Sequence, residues 1–498
     1  MAEEHLKREL GLLQATMMGI GGAISAGVFV TLGYAASLAG TALLIAMILC
    51  GVINLFTMLS YAELGAAIPS AGGEYTFAKV SFGGFISFVT GWFEWISNMF
   101  YAAFCAVGFA YMVSYTIQAA GLPLTASVPI IAAVTVAVFA IINVKGIRET
   151  GGTQTLMVVV LLGILSVFTI WGLITGQRTG PLQISAAGDF LGLLRASAFI
   201  FVVYLGGEAI AVAQAEIKDP CTNIPRAILL TCLALIAIYT SIAFVVFRIV
   251  PPGDLAGKES PLAYVAEQFM GPLGAGVVTV AGSIAALSSV NTAIMAQSRV
   301  AYALARDGYF PRVFYRIHKD FGTPCLAIAV GAILIAATAA TGVVNFVAYA
   351  ADFGFMVGFI CVNLSLIRLR MRKPNLRRPF RVPLYPLPPV LGIVTSALLM
   401  LFIEPGTLLI GIELFILGLI VYCIRMVRYY RICLAAGGMN FGVSAFSALL
   451  ALIIALDPVA VPMPHPMALV SLGAAVFVSV AYFIAGLLNI TEEKGRAN

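Results

Sequence analysis

Two short glycine-rich segments carry the groups best suited to binding a small zwitterion. Residues 18–27 (MGIGGAISAG) and residues 204–208 (YLGGE) each lie near the middle of an apolar run. Glycine holds a helix poorly, so we expect each helix to unwind at these positions. An unwound helix exposes N–H groups that bind a carboxylate and carbonyls that bind an ammonium or a metal cation. The alternative is that the small residues only allow close packing between helices.

Three acidic residues within or beside apolar runs are candidates for gating or ion coupling. They are Glu94, Glu208, which ends the second glycine-rich segment, and Asp352. Ionisable side chains rarely face lipid. We interpret them as proton carriers, gates or partners for a cationic ligand. The alternative for each is a hydrogen-bonded acid that holds neighbouring helices together.

The elements that must position these groups are apolar helices. Hydrophobic residues make up 61% of the 498 residues and charged residues only 10%, against roughly 25% charged in a soluble domain. Apolar runs of about twenty residues recur along the chain, as transmembrane helices require and β-barrel strands do not. We predict an all-α polytopic membrane protein with fourteen transmembrane helices: 12–33, 39–64, 83–118, 127–145, 153–176, 195–215, 226–249, 272–303, 323–341, 345–370, 385–404, 406–428, 438–457 and 467–490.

The distribution of positive charge predicts the orientation of these helices. With the N-terminus inside, 24 of the 28 Lys and Arg residues fall in cytoplasmic segments, as the positive-inside rule expects. We therefore predict a protein of the cell membrane with a cytoplasmic N-terminus (1–11) and a cytoplasmic tail (491–498). The basic loops are interpreted as contacts with the lipid bilayer, not with nucleic acid. The eight cysteines include no C-x-x-C pair and the three histidines are far apart, so no cofactor is predicted.

The spacing of the two glycine-rich segments predicts an internal repeat. Each segment lies in the first helix of a block of five, and such paired interruptions are typical of inverted-repeat transporters. We assign residues 12–370 to a transport core, with a first repeat at 12–176 and a second at 195–370. Helices 1 and 6 are its broken helices. Residues 385–490 supply four additional transmembrane helices.

Several longer motifs carry a resemblance to a known family. They are residues 22–29 (GAISAGVF), 61–75 (YAELGAAIPSAGGEY), 206–209 (GGEA), 216–227 (EIKDPCTNIPRA), 298–308 (SRVAYALARDG) and 378–383 (RPFRVP). In their order and spacing, the chain resembles the amino acid permeases of the amino acid, polyamine and organocation superfamily from about residue 10 to residue 390. The resemblance implies a five-plus-five inverted-repeat core and a secondary transporter of amino acids.

The resemblance also implies particular substrate contacts. The family's carboxylate contacts fall on the backbone N–H groups of Ser25, Ala26 and Gly27, where the family usually has glycine in place of Ser25. Its ammonium contacts fall on carbonyls in both broken helices. The predicted substrate-binding residues are therefore Ala23, Ser25, Ala26, Gly27, Val202, Tyr204, Leu205 and Glu208.

The coupling ion is left open between sodium and protons. Proton-coupled relatives have a lysine in the fifth helix, but the matching position here is at or near Leu161, and residues 153–175 contain no basic or acidic side chain. That departure leaves room for a cation. A sodium site of five oxygens is predicted from the Ser288 and Ser289 hydroxyls and the carbonyls of Gly21, Ile24 and Ala285.

The predicted function is secondary active transport of amino acids by alternating access, driven by a sodium or proton gradient or by exchange. A carrier or exchanger of polyamines or cationic amino acids is the alternative, with the acidic residues as counter-charges. A substrate sensor that does not transport is a more distant one. No enzymatic constellation converges on one membrane face, and the oligomeric state is not predicted.

Overall fold

The computed structural model describes residues 8–70, 72–119, 127–175, 190–258, 260–403, 405–426, 443–444, 447–448, 451 and 471–484. Within these ranges the chain forms helices and no strand, apart from one isolated bridge between Leu10 and Ile217. The predicted all-α class is confirmed. The predicted helix 438–457, most of the loop between the two repeats and the tail 491–498 lie largely or wholly outside the described residues.

Eighteen helices are named in chain order. They are α1 (Leu12–Ala23), α2 (Gly27–Val30), α3 (Leu32–Ala39), α4 (Leu43–Ala67), α5 (Gly73–Ser81), α6 (Gly84–Ala119), α7 (Val128–Lys145), α8 (Ile147–Thr175), α9 (Phe190–Ile200), α10 (Ala209–Val212), α11 (Pro220–Ile249), α12 (Pro252–Leu255), α13 (Pro261–Arg306), α14 (Cys325–Ala339), α15 (Val344–Arg372), α16 (Leu387–Met400), α17 (Pro405–Met426) and α18 (Ser471–Ile484).

Nine helical stretches among the described residues are long and apolar enough to cross a membrane. They are Leu12–Val30, Leu32–Ala67, Gly84–Ser114, Val128–Lys145, Gly151–Thr175, Pro220–Ile249, Pro261–Arg306, Val344–Arg372 and Gly406–Cys423. Four shorter apolar helices accompany them: Phe190–Tyr204, Cys325–Ala339, Leu387–Met400 and Ser471–Ile484. A total of fourteen spans and the two five-helix repeats stay predictions.

The predicted helix 272–303 is part of a longer helical stretch. The stretch begins at Pro261 and bends at Gly271, whose φ of 69° and ψ of −170° are not helical. The next residue, Pro272, cannot donate a backbone hydrogen bond, so the ladder is interrupted there. The sequence prediction therefore found the segment after the bend and missed the one before it.

Helix α6 lies in the middle of the bundle, in contact with α5, α7, α13, α14, α15 and α17. The two-part first helix, α1 and α2, packs among α8, α11 and α13. Small residues let these helices approach closely. At Gly282 of α13, for example, an added Cβ would lie 2.6 Å from Met112 Cε and 2.9 Å from a ring carbon of Phe29. This packing brings the two glycine-rich segments to the centre of the protein.

Candidate functional site

Both predicted helix breaks are present in the structure. Helix α1 ends at Ala23, and Ile24, with φ −72° and ψ 87°, leaves the helical region before α2 begins at Gly27. Helix α9 ends at Ile200, is followed by a 3-10 turn and becomes extended at Leu205, before α10. The glycine-rich segments therefore interrupt their helices, which the packing alternative did not require.

The two breaks lie directly against each other. Gly206 has a φ of +108°, and a Cβ added there would lie 2.7 Å from the backbone nitrogen of Ala23. The neighbouring backbone atoms of Gly22 are also within contact distance of that position. A left-handed conformation and an approach of backbone to backbone both require glycine. Gly206 thus explains why the second segment is glycine-rich.

Two buried tyrosines connect the breaks. The Tyr101 hydroxyl of α6 lies 2.7 Å from the carbonyl oxygen of Gly22 and 3.1 Å from that of Leu205. The Tyr239 hydroxyl of α11 lies 3.0 Å from the Ala23 carbonyl oxygen and 2.8 Å from that of Val203. The Tyr101 hydroxyl also lies 3.4 Å from the Ala23 carbonyl oxygen, and each hydroxyl has one proton to share among its acceptors. These contacts hold the unwound segments in register.

The predicted substrate contacts are brought together but already have partners. The Ser25 hydroxyl accepts a hydrogen bond from the Gly27 N–H at 3.0 Å, so the Gly27 N–H already has a partner within the first break. The Val202 carbonyl accepts the Leu205 N–H at 3.3 Å. The Tyr204 hydroxyl donates to the Met47 carbonyl at 2.7 Å. A carbonyl has two lone pairs, so that of Leu205, which has Tyr101 as its partner, retains capacity for a ligand, whereas both Tyr101 and Tyr239 lie within hydrogen-bonding distance of the Ala23 carbonyl oxygen.

Sequence reasoning missed one residue beside the predicted carboxylate contacts. Cys105 lies one helical turn after Tyr101 and is fully buried. Its thiol lies near the Ser25 and Ser289 hydroxyls and the Ala26 backbone. A cysteine in an apolar helix carries no signal of its own, because buried cysteine usually acts as a small hydrophobic residue.

The predicted sodium ligands are partly assembled. The Ser288 hydroxyl donates to the Gly21 carbonyl at 2.8 Å. The Ser289 hydroxyl lies 3.0 Å from the same oxygen and 2.9 Å from the Gly22 carbonyl oxygen. The Ile24 N–H donates to Ile20, and Ala285 lies one turn before the serines on α13. The placement of the fifth-helix lysine position at or near Leu161 stays a prediction; Gln154 and Val158 of α8 lie next to Gly21.

A chain of buried amides, not predicted from the sequence, ends at Ser288. Asn143 donates to the Phe139 carbonyl at 2.9 Å and to the Asn291 side-chain oxygen at 2.9 Å. Asn291 donates to the Gln154 side-chain oxygen at 3.2 Å, and Gln154 donates to the Ser288 hydroxyl at 2.7 Å. The backbone carbonyl at the start can only accept, so it fixes the direction of every later bond. This series of hydrogen bonds therefore directs N–H and O–H donors toward Gly21.

The three predicted acids have different surroundings. Both carboxylate oxygens of Glu208 lie 2.8 Å from the Gly206 nitrogen, which donates to them. Glu94 accepts the N–H groups of Glu74 at 3.2 Å and Tyr75 at 3.0 Å, at the start of α5. Asp352 is fully buried, and neither of its oxygens has a hydrogen-bond partner within the described ranges. Glu208 and Glu94 thus stabilise local backbone, whereas Asp352 has no such role.

A further acid, Glu74, lies beside Glu94 at the start of α5. It is 1% exposed and accepts a hydrogen bond from the Tyr61 hydroxyl. Burial raises the pKa of Glu74 well above its ordinary value, and the neighbouring charge of Glu94 raises it further. Its position in a short amphipathic helix after a loop gave no sign of burial. The site therefore includes one more proton-binding group than the sequence indicated.

Polar contacts close the side of the bundle where α1 begins. Arg299 and Glu216 form a fully buried ion pair, with 3.3 Å between Nε and Oε1. The Glu216 carbonyl accepts the N–H groups of Glu9 at 2.9 Å and Leu10 at 3.0 Å. These contacts join the segment before α1 to the segment after α10.

A second contact on this side joins α5 to the end of α13. Lys79 Nζ lies 2.7 Å from Asp307 Oδ1, and the Tyr75 hydroxyl donates to the same carboxylate. Burial, and after it the contact with Asp307, raises the pKa of the Tyr75 hydroxyl, which therefore stays protonated as the donor.

Comparison with known proteins agrees with this architecture. The family model for amino acid permeases matches residues 10–424. A branched-chain amino acid permease of Bacillus subtilis (strain 168) is 25% identical over 434 residues, covering 84% of this chain and 93% of the relative. A methylthioribose transporter of the same organism is 27% identical over 406 residues, covering 78% and 87%. Cationic amino acid transporter 4 of Mus musculus is 26% identical over 393 residues, covering 75% and 61%.

Proposed function

The chain belongs to the amino acid permease family and is therefore an integral membrane transporter rather than an enzyme, and from this premise we propose that it carries a neutral, aliphatic amino acid. The meeting of two unwound helices is the observation that carries the proposal. A zwitterion needs N–H donors for its carboxylate and carbonyl acceptors for its ammonium. Both occur at residues 23–27 and 202–206, in a region where every residue is fully buried or nearly so.

The proposed substrate side chain is branched and apolar. The side chains next to the breaks include Ile24, Val203 and Phe104, all fully buried. An apolar pocket binds an aliphatic side chain by removing its surface from water. The name of the Bacillus subtilis relative, a branched-chain amino acid permease, supports the same substrate class.

We propose that access alternates as helices around the breaks rock against the rest of a five-plus-five core. The N-terminus and tail are assigned to the cytoplasm of a cell-membrane protein on the distribution of Lys and Arg. The Arg299–Glu216 pair, 3.3 Å apart, and the Lys79–Asp307 pair, 2.7 Å apart, then lie on the cytoplasmic side. In this mechanism both pairs break when the site opens inward.

We propose protons, rather than sodium, as the coupling ion. The amide chain through Gln154 directs an N–H group at Ser288, whose own proton points to Gly21. Donors directed into a site oppose the binding of a cation there, because a cation needs oxygen lone pairs. Glu74 and Glu94, both buried, supply groups that can take up and release a proton.

A carrier of cationic amino acids is the second candidate. The surroundings of Asp352 favour this candidate. Its buried carboxylate has no hydrogen-bond partner in the described part of the chain, so it could pair with a cationic substrate side chain. The mouse relative is named a cationic amino acid transporter. In that case Asp352→Asn should abolish uptake of lysine and arginine.

Uptake into proteoliposomes tests these proposals together. Purified protein is assayed with radiolabelled leucine, competed by unlabelled neutral and cationic amino acids, with sodium and pH gradients imposed separately. We expect isoleucine and valine to compete and an inward proton gradient alone to drive accumulation. Competition by lysine and arginine only would replace the neutral substrate with a cationic one. Accumulation driven by sodium alone would overturn proton coupling.

A further inference from the structure

A large apolar cavity lies away from the helix breaks, on the outer side of α6. Its volume is about 630 Å³, and it lies between α6, α14, α15, α17 and α18. This is within the range of cavities that hold small organic ligands, roughly 300–1,000 Å³. The residues that carry the argument are Trp92, Trp95, Phe100, Phe346, Glu413 and Phe477.

Glu413 is the single charged residue among the described residues that line the cavity. It is 3% exposed, and neither carboxylate oxygen has a hydrogen-bond partner in the described portion of the chain. A buried carboxylate without a partner is costly, and buried charges are normally paired. Nothing in the transport mechanism above uses Glu413. Its carboxylate is therefore free to bind a group that enters the cavity.

The lining selects among the groups that could bind. Among the described residues, no Lys or Arg lines the cavity, so these residues offer the phosphate of a lipid headgroup no counter-charge. Five aromatic rings surround the same space, and aromatic faces attract ammonium groups. A carboxylate and aromatic rings in an otherwise apolar cavity together suit one ammonium attached to an apolar body.

We propose that this cavity binds a lipophilic amine, with its ammonium on Glu413 and its apolar part among the aromatic rings. The site is separate from the helix breaks and does not depend on the substrate or coupling ion proposed above. Two cavity residues are held in place by the protein itself. Trp92 Nε1 donates to the Leu414 carbonyl at 2.9 Å and Trp95 Nε1 donates to Gln297 at 3.1 Å.

The tryptophans allow a direct binding assay. The chain has three: Trp92 and Trp95 line the cavity, and Trp171 is 50% exposed on α8. Bromine quenches tryptophan fluorescence on contact. The full chain carrying Trp171→Phe, in lipid nanodiscs, is titrated with a terminally brominated alkylamine and with the brominated alcohol of the same chain length. A Trp92→Phe/Trp95→Phe variant retains Trp171 and reports non-specific partition into lipid.

We expect the amine to quench the fluorescence of Trp92 and Trp95 saturably. In the variant that retains only Trp171, fluorescence should decrease gradually and without saturation. Glu413→Gln, of nearly identical shape, should raise the half-saturating amine concentration roughly tenfold or more, because a hydrogen bond to a charged group is lost. Equal saturation by amine and alcohol on the unaltered Glu413 would overturn the proposal. An amine titration of Glu413→Gln that matches the titration of the unaltered protein would also overturn it. So would quenching of Trp171 equal to the quenching of Trp92 and Trp95.

Discussion

Gly206→Ala tests the contact between the two helix breaks. An alanine at this φ of +108° lowers the free energy of unfolding by about 1–2 kcal/mol, because a Cβ is disfavoured in the left-handed region. The new Cβ would lie 2.7 Å from the Ala23 nitrogen, whereas ordinary contacts begin at 3.4 Å. The Cβ would lie closer still to the carbonyl carbon and oxygen of Gly22, so the breaks must separate by more than the difference between these two distances. Both sides of this contact are backbone, so no flexible side chain can absorb the movement.

That separation should weaken substrate binding. The Tyr101 hydroxyl, 2.7 Å from the Gly22 oxygen and 3.1 Å from the Leu205 oxygen, can no longer serve both acceptors, at a cost of about 1 kcal/mol. Together with the strain at alanine, this lowers the free energy of unfolding by about 2–3 kcal/mol. The displaced carbonyls also no longer match the substrate, and a loss of about 1 kcal/mol there raises the dissociation constant roughly fivefold. Binding of radiolabelled leucine to purified protein measures it, and uptake should fall in parallel.

The neighbouring glycine provides a matched control. A Cβ at Gly207 would lie 3.7 Å from Thr231 Cγ2 and 4.0 Å from Met58 Sδ, which are ordinary contacts. Gly207→Ala should therefore bind and transport nearly as the unaltered protein does. If Gly206→Ala binds leucine normally, or if both variants are equally impaired, the inferred contact between the breaks is incorrect.

Three further predictions concern other parts of the site. Arg299→Met leaves the Glu216 carboxylate buried without its counter-charge, so the free energy of unfolding, measured by denaturant titration, should fall by about 3–5 kcal/mol. Adding Glu216→Gln should recover part of this loss. A double variant less stable than Arg299→Met alone would contradict the prediction. Glu208→Gln should retain part of the leucine binding but slow uptake or change its pH dependence; uptake like that of the unaltered protein at every pH would remove Glu208 from the gate. Ser289→Ala removes the hydroxyl that bonds to the Gly21 and Gly22 carbonyls, at a cost of about 1 kcal/mol. Uptake should therefore fall equally with and without sodium. A loss confined to sodium buffers would restore the predicted sodium site.

The sequence by itself determined the class of the protein and the positions of its two helix breaks. Both depend on local properties. Twenty apolar residues in a row specify a membrane helix wherever they occur, and a run of glycines weakens a helix without reference to any partner. The same reasoning identified Glu208 and Asp352, because an acid in an apolar run is conspicuous in the sequence alone.

Only the tertiary structure decided which groups meet at these breaks. Gln154 bonds to Ser288 and Asn143 bonds to Asn291, and the members of these pairs are 134 and 148 positions apart in the chain. An amide or thiol in a helix has many possible partners, and helix packing selects one. The position of Cys105 near Ser25 and Ser289 likewise depends on how α6 packs against its neighbours. Helix propensity is a property of residues that are neighbours in the sequence, whereas a hydrogen bond depends on the distance between two groups in the folded protein. The geometry at the breaks therefore required the fold.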